Sequence, residues 1–260
     1  MAVVGALIRV ASKVVGGLAA VVFAFLAYDY VMLPDVRALA TDNPMSTAFM
    51  ELRAGEAEAL GRPPTHEHQW VPLSRISPVL RRAVLVAEDD AFFDHDGVDF
   101  QQLREAIEAR LAGGAGLRGA STITQQLAKN LYLTPSRNPL RKIRELVIAR
   151  RLEAALPKTR ILELYLNLIE WGDGVWGAEA AARRHFGIPA SEIGPRQAAL
   201  LAGAIINPRR YSPASPPARL LRRQEIILAR MGGVNTSATP AVPEVEPAGA
   251  VGQDDPARGD

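Results

Sequence analysis

The 260-residue chain has room for one sizeable domain with appendages, and its 48% hydrophobic and 22% charged residues are ordinary for a globular protein. A formal net charge of +2, with no basic run interleaved with aromatic residues, gives no support for nucleic-acid binding. The absence of cysteine excludes disulfides and thiolate chemistry, and the four histidines form no zinc-ligand pattern, so we expect no dedicated metal site.

The first signal along the chain is an apolar run at residues 14–33, which reads VVGGLAAVVFAFLAYDYVML. Its length matches the hydrocarbon core of a bilayer. Arg9 and Lys13 precede the run and Asp35 follows it, so the positive-inside rule places residues 1–13 in the cytoplasm and the remainder outside. The sequence therefore predicts a single-pass transmembrane anchor.

Two other interpretations of this run are weaker. A cleaved signal peptide has a shorter apolar core and a small-x-small cleavage site, and no convincing site ends this run. A buried core helix is also less favoured, because residues 14–33 are apolar on all sides.

The rest of the chain divides into three segments. Residues 34–69 are predicted to form a juxtamembrane connector that packs loosely or touches the membrane. Four prolines interrupt any helix there: Pro34, Pro44, Pro63 and Pro64. Residues 70–231 are predicted to form a mainly α domain. Residues 232–260 are acidic, rich in Pro, Ala and Gly, and free of aromatic residues, which predicts a disordered tail.

Within the predicted domain, apolar residues recur with the period of a helix and strand-like alternation is scarce. The segments with this pattern are 80–93, 103–114, 121–133, 141–156, 158–169, 177–187 and 196–206. Glycine and proline residues separate them, which favours short helices joined by turns.

An acidic segment at residues 88–99 follows the first of these patterns. On a helix, Val84, Ala87 and Ala91 share a buried stripe that leaves Glu88 at its border. Partial burial there would raise the pKa of the Glu88 carboxyl toward a value useful for a general base. By composition alone, however, an acidic and solvated helix end is the simpler interpretation.

A polar helix start follows at residues 119–130. Ser121 is a candidate N-cap, and Ser121, Gln125 and Lys129 recur at every fourth position, so they can line one helix face. A hydroxyl, an amide and an ammonium group on one face can hold a phosphate or a sugar. An exposed, capped helix would have the same pattern.

A third segment, residues 137–145, is rich in charge. Arg141 and Glu145 are four residues apart, and Lys142 and Glu145 are three apart, so all three can meet on one helical surface. A surface helix with ordinary ion pairs would look the same, and those pairs would contribute little.

Taken together, these segments resemble the motifs of the peptidoglycan glycosyltransferases, the family that includes the glycosyltransferase domains of penicillin-binding proteins and their monofunctional relatives. Residues 88–99 match EDxxFxxHxGxD, residues 119–133 match GxSTITQQLxKNxxL, and residues 141–153 match RKxxExxxAxxLE. Residues 158–167 match KxxILExYLN, and residues 172–187 also resemble the family. The resemblance covers residues 70–231 and is closest to the monofunctional biosynthetic enzymes.

This resemblance implies a mainly α, lysozyme-like, two-lobed glycosyltransferase domain preceded by one transmembrane helix. It implies an enzyme that polymerises lipid II by inverting transfer of the lipid-linked glycan to the GlcNAc 4-hydroxyl, with release of undecaprenyl pyrophosphate. We expect the catalytic domain on the outer side of the inner membrane. A transpeptidase domain would need several hundred more residues with SxxK, SxN and KTG motifs, and only the predicted tail follows residue 231, so no transpeptidase activity is expected.

The resemblance also implies the residues of the site. Glu88 matches the general base, and Glu145 matches a second essential carboxylate that orients cations or assists departure of the leaving group. Four basic residues match positions around the pyrophosphate: Lys129, Arg137, Arg141 and Lys142. Five polar residues would line the cleft: Ser121, Thr122, Gln125, Gln126 and Asn130. Asp89 and His95 are assigned a supporting role beside Glu88.

No tightly bound cofactor is expected, although the resemblance suggests Mg²⁺ or Mn²⁺ as an assistant at the pyrophosphate. The expected partners are lipid II, the growing lipid-linked glycan, the cytoplasmic membrane and other cell-wall synthesis proteins, but no nucleic acid. Two alternatives stay open: a membrane-bound lytic murein hydrolase or transglycosylase, and a non-catalytic cell-wall scaffold. Hydrolysis of a glycan needs no pyrophosphate-binding cations, and a scaffold would tolerate loss of Glu88 or Glu145.

Overall fold

The computed structural model describes residues 31–113, 121–134 and 138–233, together with isolated residues between 13 and 27. The predicted tail beyond residue 233, Arg137, and parts of the predicted anchor at residues 14–33 lie outside the described residues. Among the residues described, no helix is long and apolar enough to cross a membrane. The predicted mainly helical fold is confirmed for the part of the chain that is described.

The helices of residues 31–233 are α1 (Ala48–Ala59), α2 (Pro78–Glu88), α3 (Phe100–Leu111), α4 (Ile123–Tyr132), α5 (Pro139–Ala155), α6 (Lys158–Leu168), α7 (Ala178–Phe186), α8 (Pro195–Ala204) and α9 (Ala218–Gly233). A small sheet contains β1 (Glu67–His68), β2 (Glu170–Gly172) and β3 (Val175–Trp176). Its order is β1-β3-β2, with β1 parallel and β2 antiparallel to β3. Short 3₁₀ turns include Arg37–Ala40 and Phe92–Asp94.

Helix α4 lies at the centre of the domain. It packs against α1, α5 and α6, and its Ile123 and Leu127 are fully buried. Thr122 caps its first turn, because the Thr122 side chain accepts a hydrogen bond from the Gln125 amide at 3.2 Å. The prediction that Ser121 is the cap is therefore wrong by one residue. Since α4 is held on three sides, its polar face is fixed in direction.

A second group of helices packs around α2. Helix α2 contacts α8 and α9, and its Leu80 and Val84 are fully buried. Pro78 occupies the first turn, where the missing amide hydrogen costs nothing. The Ser77 hydroxyl donates to the Ile193 carbonyl at 2.8 Å, which fixes the start of α2 against the turn that precedes α8. The end of α2, at Glu88, then points toward α4.

The prediction of a loosely packed connector at residues 34–69 is corrected by the structure. This segment contains α1 and β1, and Val36, Leu39 and Met50 belong to the hydrophobic core. The prolines flank α1 and do not interrupt it, and the Thr47 side chain accepts from the Met50 amide to cap its start. Burial of these apolar side chains gives the segment a fixed place in the domain.

The helices differ from the prediction at two places. The pattern at residues 80–93 does not form one helix, because α2 ends at Glu88 and the chain turns before the 3₁₀ turn that contains the fully buried Phe92. Helix α9 was not predicted, although its buried residues Leu220, Gln224 and Ile227 have helical spacing. Its many arginines obscure the apolar stripe, which is short and one-sided.

Candidate active site

The Glu88 carboxylate is held at the end of α2 and is mostly buried. Its side chain is 12% exposed. Gln126 from α4 donates a hydrogen bond from Nε2 to Glu88 Oε2 at 2.9 Å. The Arg223 guanidinium from α9 lies with Nη2 at 3.4 Å from Glu88 Oε1. One carboxylate oxygen is thus firmly bonded, and the other has only a long contact.

The surroundings of Glu88 shift the pKa of its carboxyl in opposite directions. Burial raises its pKa, because a low-dielectric surrounding disfavours the charged form. The Gln126 hydrogen bond and the charges of Arg223 and Lys129 lower the pKa, and the neighbouring Asp89 raises it. The net direction is upward, as sequence reasoning expected for a general base.

Asp89 connects the acidic segment to the start of α4. Its carboxylate is 2% exposed, and Oδ2 accepts from the Ile123 amide at 2.9 Å while Oδ1 contacts His95 Nε2 at 2.9 Å. The Gly97 amide donates to His95 Nδ1 at 3.1 Å, so Nε2 carries the proton that His95 donates to Asp89. These hydrogen bonds join the residue next to Glu88 to the start of α4 and to Gly97.

Gly97 brings the acidic segment and α4 into contact. Its carbonyl accepts from the Thr122 hydroxyl at 2.8 Å and from Gln125 Nε2 at 3.1 Å. Its φ is +83°, and a Cβ here would lie 3.0 Å from the Cγ of Glu153. Only glycine fits this conformation and spacing without strain. Thr122 is buried, and both hydrogen bonds of its hydroxyl are used within the protein.

The second carboxylate, Glu145, is surrounded by cations. It is 4% exposed; Arg141 Nη1 donates to Oε2 at 2.8 Å and Lys142 Nζ donates to Oε1 at 2.5 Å. Lys142 also donates to Gln125 Oε1 at 3.0 Å and lies 3.5 Å from Ser121 Oγ. The predicted meeting of Arg141, Lys142 and Glu145 on one surface of α5 is confirmed, and α4 supplies the polar groups facing it.

Lys129 lies within electrostatic range of both carboxylates. It is largely withdrawn from solvent, and burial lowers the pKa of its ammonium group, whereas the negative charge of Glu145 and, to a smaller extent, that of Glu88 raise it. Arg141 and Lys142 act on it with the opposite sign. A cation withdrawn from solvent beside other cations can attract an anion.

A cavity of about 260 Å³ opens beside Lys129. Gln126 and Asn130 line it from α4, and Asn130 Nδ2 donates to the Gln126 carbonyl at 2.8 Å. On the opposite wall Arg53 Nε contacts Glu170 Oε2 at 3.2 Å. Glu170 Oε1 is buried and has no hydrogen-bond partner within the described residues, and burial raises the pKa of this carboxyl.

A wider depression of about 550 Å³ exists elsewhere, lined by His66, His68, Arg183 and Arg184 among others. It contains none of the predicted site residues and is more open to solvent. We therefore assign the candidate site to the surroundings of α4, whose side chains bond to Glu88 and to the cluster around Glu145 and where titratable groups converge under partial burial.

Most predicted site residues converge, and several neighbours were not predicted. Arg137 lies outside the described residues. Neighbours that sequence reasoning missed are Arg53, Tyr165, Glu170, Arg209 and Arg223. They come from distant parts of the chain, and none has a local spacing that relates it to Glu88. The YLN motif contains Tyr165, which was the one available signal.

Comparison with known proteins identifies the family of this chain. The chain belongs to the family described as Transglycosylase, whose profile matches residues 56–232. It is 50% identical over 189 residues to the biosynthetic peptidoglycan transglycosylase of Aromatoleum aromaticum, covering 73% of this chain and 82% of that protein. It is 42% identical over 221 residues to the protein of the same name from Laribacter hongkongensis, covering 85% and 97%. For Rhodospirillum centenum the identity is 43% over 231 residues, covering 89% and 93%.

Proposed function

We propose that this chain is a peptidoglycan glycosyltransferase that polymerises lipid II into glycan strands. The observation that carries the proposal is that helix α4 joins Glu88 to the cationic cluster around Glu145. Its Gln126 donates to Glu88 Oε2 at 2.9 Å, and its Gln125 accepts at 3.0 Å from Lys142, which also donates to Glu145. A base for a hydroxyl and a cationic cluster for a pyrophosphate therefore lie beside the same helix. Transfer of a sugar from a lipid pyrophosphate requires these two parts together.

The Glu88 carboxylate acts as the general base. It removes the proton from the 4-hydroxyl of the acceptor GlcNAc as that oxygen attacks C1 of the donor MurNAc. The new bond joins C1 to the acceptor oxygen, and the bond from C1 to the pyrophosphate oxygen breaks. Because this is a single displacement, the configuration at C1 inverts from α to β.

The pyrophosphate leaves with the bonding electron pair as undecaprenyl pyrophosphate. It is already a good leaving group, so its main need is stabilisation of charge. Lys129, Arg141 and Lys142 supply that charge, and Arg137 is proposed to join them. Glu145 holds Arg141 and Lys142 in place through its two oxygens. We assign to Glu145 the role of orienting the cations.

The cavity beside Lys129 is proposed to receive a sugar unit next to the reacting centre. Its walls combine amide groups of Gln126 and Asn130 with the charged pair of Arg53 and Glu170. We further propose the lysozyme-like division into two lobes, with the cleft between them.

The described residues do not form a site of their own for Mg²⁺ or Mn²⁺. Across these residues no group of three or more His, Asp or Glu side chains is placed to hold a metal ion, and both Glu145 oxygens are bonded to cations. We propose that a divalent ion would bind chiefly through the pyrophosphate oxygens of the substrate. The proposed displacement at C1 does not require this ion.

We place the catalytic domain at the outer face of the inner membrane. A lipid-tailed substrate stays in the bilayer, so the site must be held at its surface. Residues 14–33 suit an anchor with the N-terminus in the cytoplasm. Within this run Val15, Val21 and Phe23 are 66%, 66% and 74% exposed, as side chains that contact lipid would be. Other cell-wall synthesis proteins are proposed as partners there.

The test is polymerisation of purified lipid II by the full chain in detergent, with glycan products resolved on a gel. We expect polymer from the wild type and a loss of roughly 10²-fold or more for Glu88→Gln. Asp90→Asn is the matched control, because Asp90 lies in the same segment but is 43% exposed and pairs with Arg82. It should retain activity near that of the wild type.

The same assay includes preformed glycan to separate the alternatives. Shortening of that glycan, without polymer from lipid II, would replace the proposal with a lytic enzyme. No reaction on either substrate from folded, membrane-anchored protein would leave the scaffold interpretation. Equal activity of Glu88→Gln and the wild type would remove Glu88 from the mechanism.

A further inference from the structure

Arg223 contacts Glu88 from a helix outside the matched sequence motifs. Its Nη2 lies 3.4 Å from Glu88 Oε1 and 3.5 Å from the Ala87 carbonyl oxygen. The Arg223 side chain is 31% exposed and the Glu88 side chain 12%. An arginine from the last described helix therefore reaches the carboxylate that is proposed to act as the base.

Close packing of α9 on α8 brings Arg223 to this position. At Gly203 of α8, an added Cβ would lie 3.0 Å from Leu220 Cδ1 and 3.5 Å from Arg223 Cγ. The absence of a side chain at Gly203 lets α9 approach until the Arg223 stem lies against α8. Gln224 Nε2 donates to the Arg196 carbonyl at 2.8 Å, which fixes the register of α9. The guanidinium is thus directed toward the end of α2.

The Arg223 contact differs from that of a structural ion pair. Charge-assisted N–H···O⁻ bonds usually measure about 2.7–2.9 Å, and this contact is longer. Arg223 Nε is buried and has no hydrogen-bond partner among the described residues. Glu88 Oε2 is occupied by Gln126, so Oε1 is the oxygen that can accept a proton. Arg223 supplies charge next to Oε1 without occupying it by a short bond.

We propose that Arg223 is a positioning residue for the base, which keeps the Glu88 carboxylate ionised and directs Oε1 toward the acceptor hydroxyl. This inference rests on the proposed function, because it assigns Arg223 a part in the same proton transfer. It also makes α9 a component of the active site, because the packing of α9 on α8 positions Arg223 and so sets the strength of Glu88 as a base.

The other charged groups around Glu88 do not replace this contribution. Lys129 of α4 is positive but acts more weakly on Glu88 than Arg223, and Asp89 opposes both. Tyr165 of α6 is fully buried, which raises the pKa of its hydroxyl well above the usual range and keeps it neutral. Without the positive charge of Arg223, less opposes the effect of burial on Glu88, so the pKa of Glu88 rises further.

The test compares kcat/KM for lipid II polymerisation across pH for Arg223→Gln, Arg223→Lys and Arg222→Gln in the full chain. For Arg223→Gln we expect the acid limb of the kcat/KM profile, where activity rises with pH, to move to higher pH. Activity at the acid end of the profile should be roughly tenfold lower than in the wild type and should recover as the pH rises. Arg223→Lys keeps a cation and should restore part of the shift. Arg222→Gln, an exposed neighbour on α9, should match the wild type.

The outcomes separate this inference from the proposed function. A uniform loss of Arg223→Gln activity at all pH values, with an unshifted acid limb, would mean a structural role and overturn the inference. An unchanged profile would also overturn it. If Arg223→Gln does not fold, the pH profile of Arg223→Lys tests the inference instead, because a displaced cation should still shift the acid limb of kcat/KM. Failure of the wild type to polymerise lipid II would instead contradict the proposed function.

Discussion

Gln126 donates its side-chain amide to Glu88 Oε2 at 2.9 Å, and this hydrogen bond joins α4 to the end of α2. An ionised carboxylate only accepts hydrogen bonds, so the NH₂ group of Gln126 must face it. The Gln126 Oε1 atom then faces Tyr165, whose hydroxyl donates to it at 3.0 Å. Tyr165 therefore fixes the orientation of the amide that holds the base.

The first prediction concerns this arrangement. Gln126→Leu removes a hydrogen bond to the ionised carboxylate, so we expect kcat/KM for lipid II polymerisation to fall about tenfold or more near neutral pH. Tyr165→Phe leaves the amide in place but frees its orientation, so its loss should be smaller. Initial rates of both variants measure the effect. Equal losses of kcat/KM for the two variants would contradict the proposal that Gln126 bonds the base and Tyr165 only orients Gln126.

The second prediction concerns stability and pH. Burial, the largest influence, raises the pKa of Glu88 in the folded protein above its unfolded value. The folded state therefore binds the proton more tightly. This contribution to stability is present below the unfolded pKa and is lost as the pH rises through the folded pKa.

Glu88→Gln stays neutral at every pH, so at neutral pH we expect its Tm to exceed that of the wild type by a few degrees. The difference should shrink on acidification below about pH 4, where Glu88 is protonated in both states. Thermal unfolding across pH measures it. A lower Tm for Glu88→Gln at neutral pH would show that the ion pair with Arg223 outweighs burial.

The third prediction concerns Glu145. Glu145→Gln leaves Arg141, Lys142 and Lys129 without their buried counter-charge. We expect a loss of about 2 kcal/mol in the free energy of unfolding, toward the low side for buried pairs because Lys142 is 44% exposed. Polymerisation should fall as well, since the cations lose their orientation.

Glu108→Gln is the matched control for Glu145→Gln. Glu108 also pairs with an arginine four residues away, Arg104, but the two side chains are 60% and 81% exposed. Its loss should stay below about 0.5 kcal/mol, with activity unchanged. Chemical denaturation of both variants measures the difference, and similar losses would contradict a buried role for Glu145.

The fourth prediction concerns Gly97. Gly97→Ala combines a positive φ of 83° with a Cβ only 3.0 Å from Glu153 Cγ. Gly61→Ala also places alanine at a positive φ, 67°, but in open space. We expect Gly61→Ala to cost about 1 kcal/mol and Gly97→Ala roughly 1 kcal/mol more.

Only Gly97→Ala should also lower activity, because the Gly97 carbonyl accepts from Thr122 and Gln125 at the start of α4. Denaturation and initial rates on the same two variants test this. A cost at Gly97 no greater than that at Gly61 would show that Glu153 moves aside easily.

The sequence by itself determined the helical fold and the local part of the site. Helical periodicity is set by neighbours along the chain, so most helices of residues 78–204 were predictable. Arg141, Lys142 and Glu145 meet because three- and four-residue spacings lie on one helical surface. The resemblance of the motifs indicated Glu88 as the base, but composition alone favoured a solvated helix end.

Only the tertiary structure decided what surrounds the base. Burial of Glu88 and its contacts with Gln126 and Arg223 depend on how α2, α4 and α9 pack, with 38 and 135 residues separating the partners. No local spacing encodes such distances. The same holds for residues 34–69, whose prolines suggested a loose connector although Val36, Leu39 and Met50 are buried in the core. Long-range burial, which one chain segment cannot reveal, raises the pKa of Glu88.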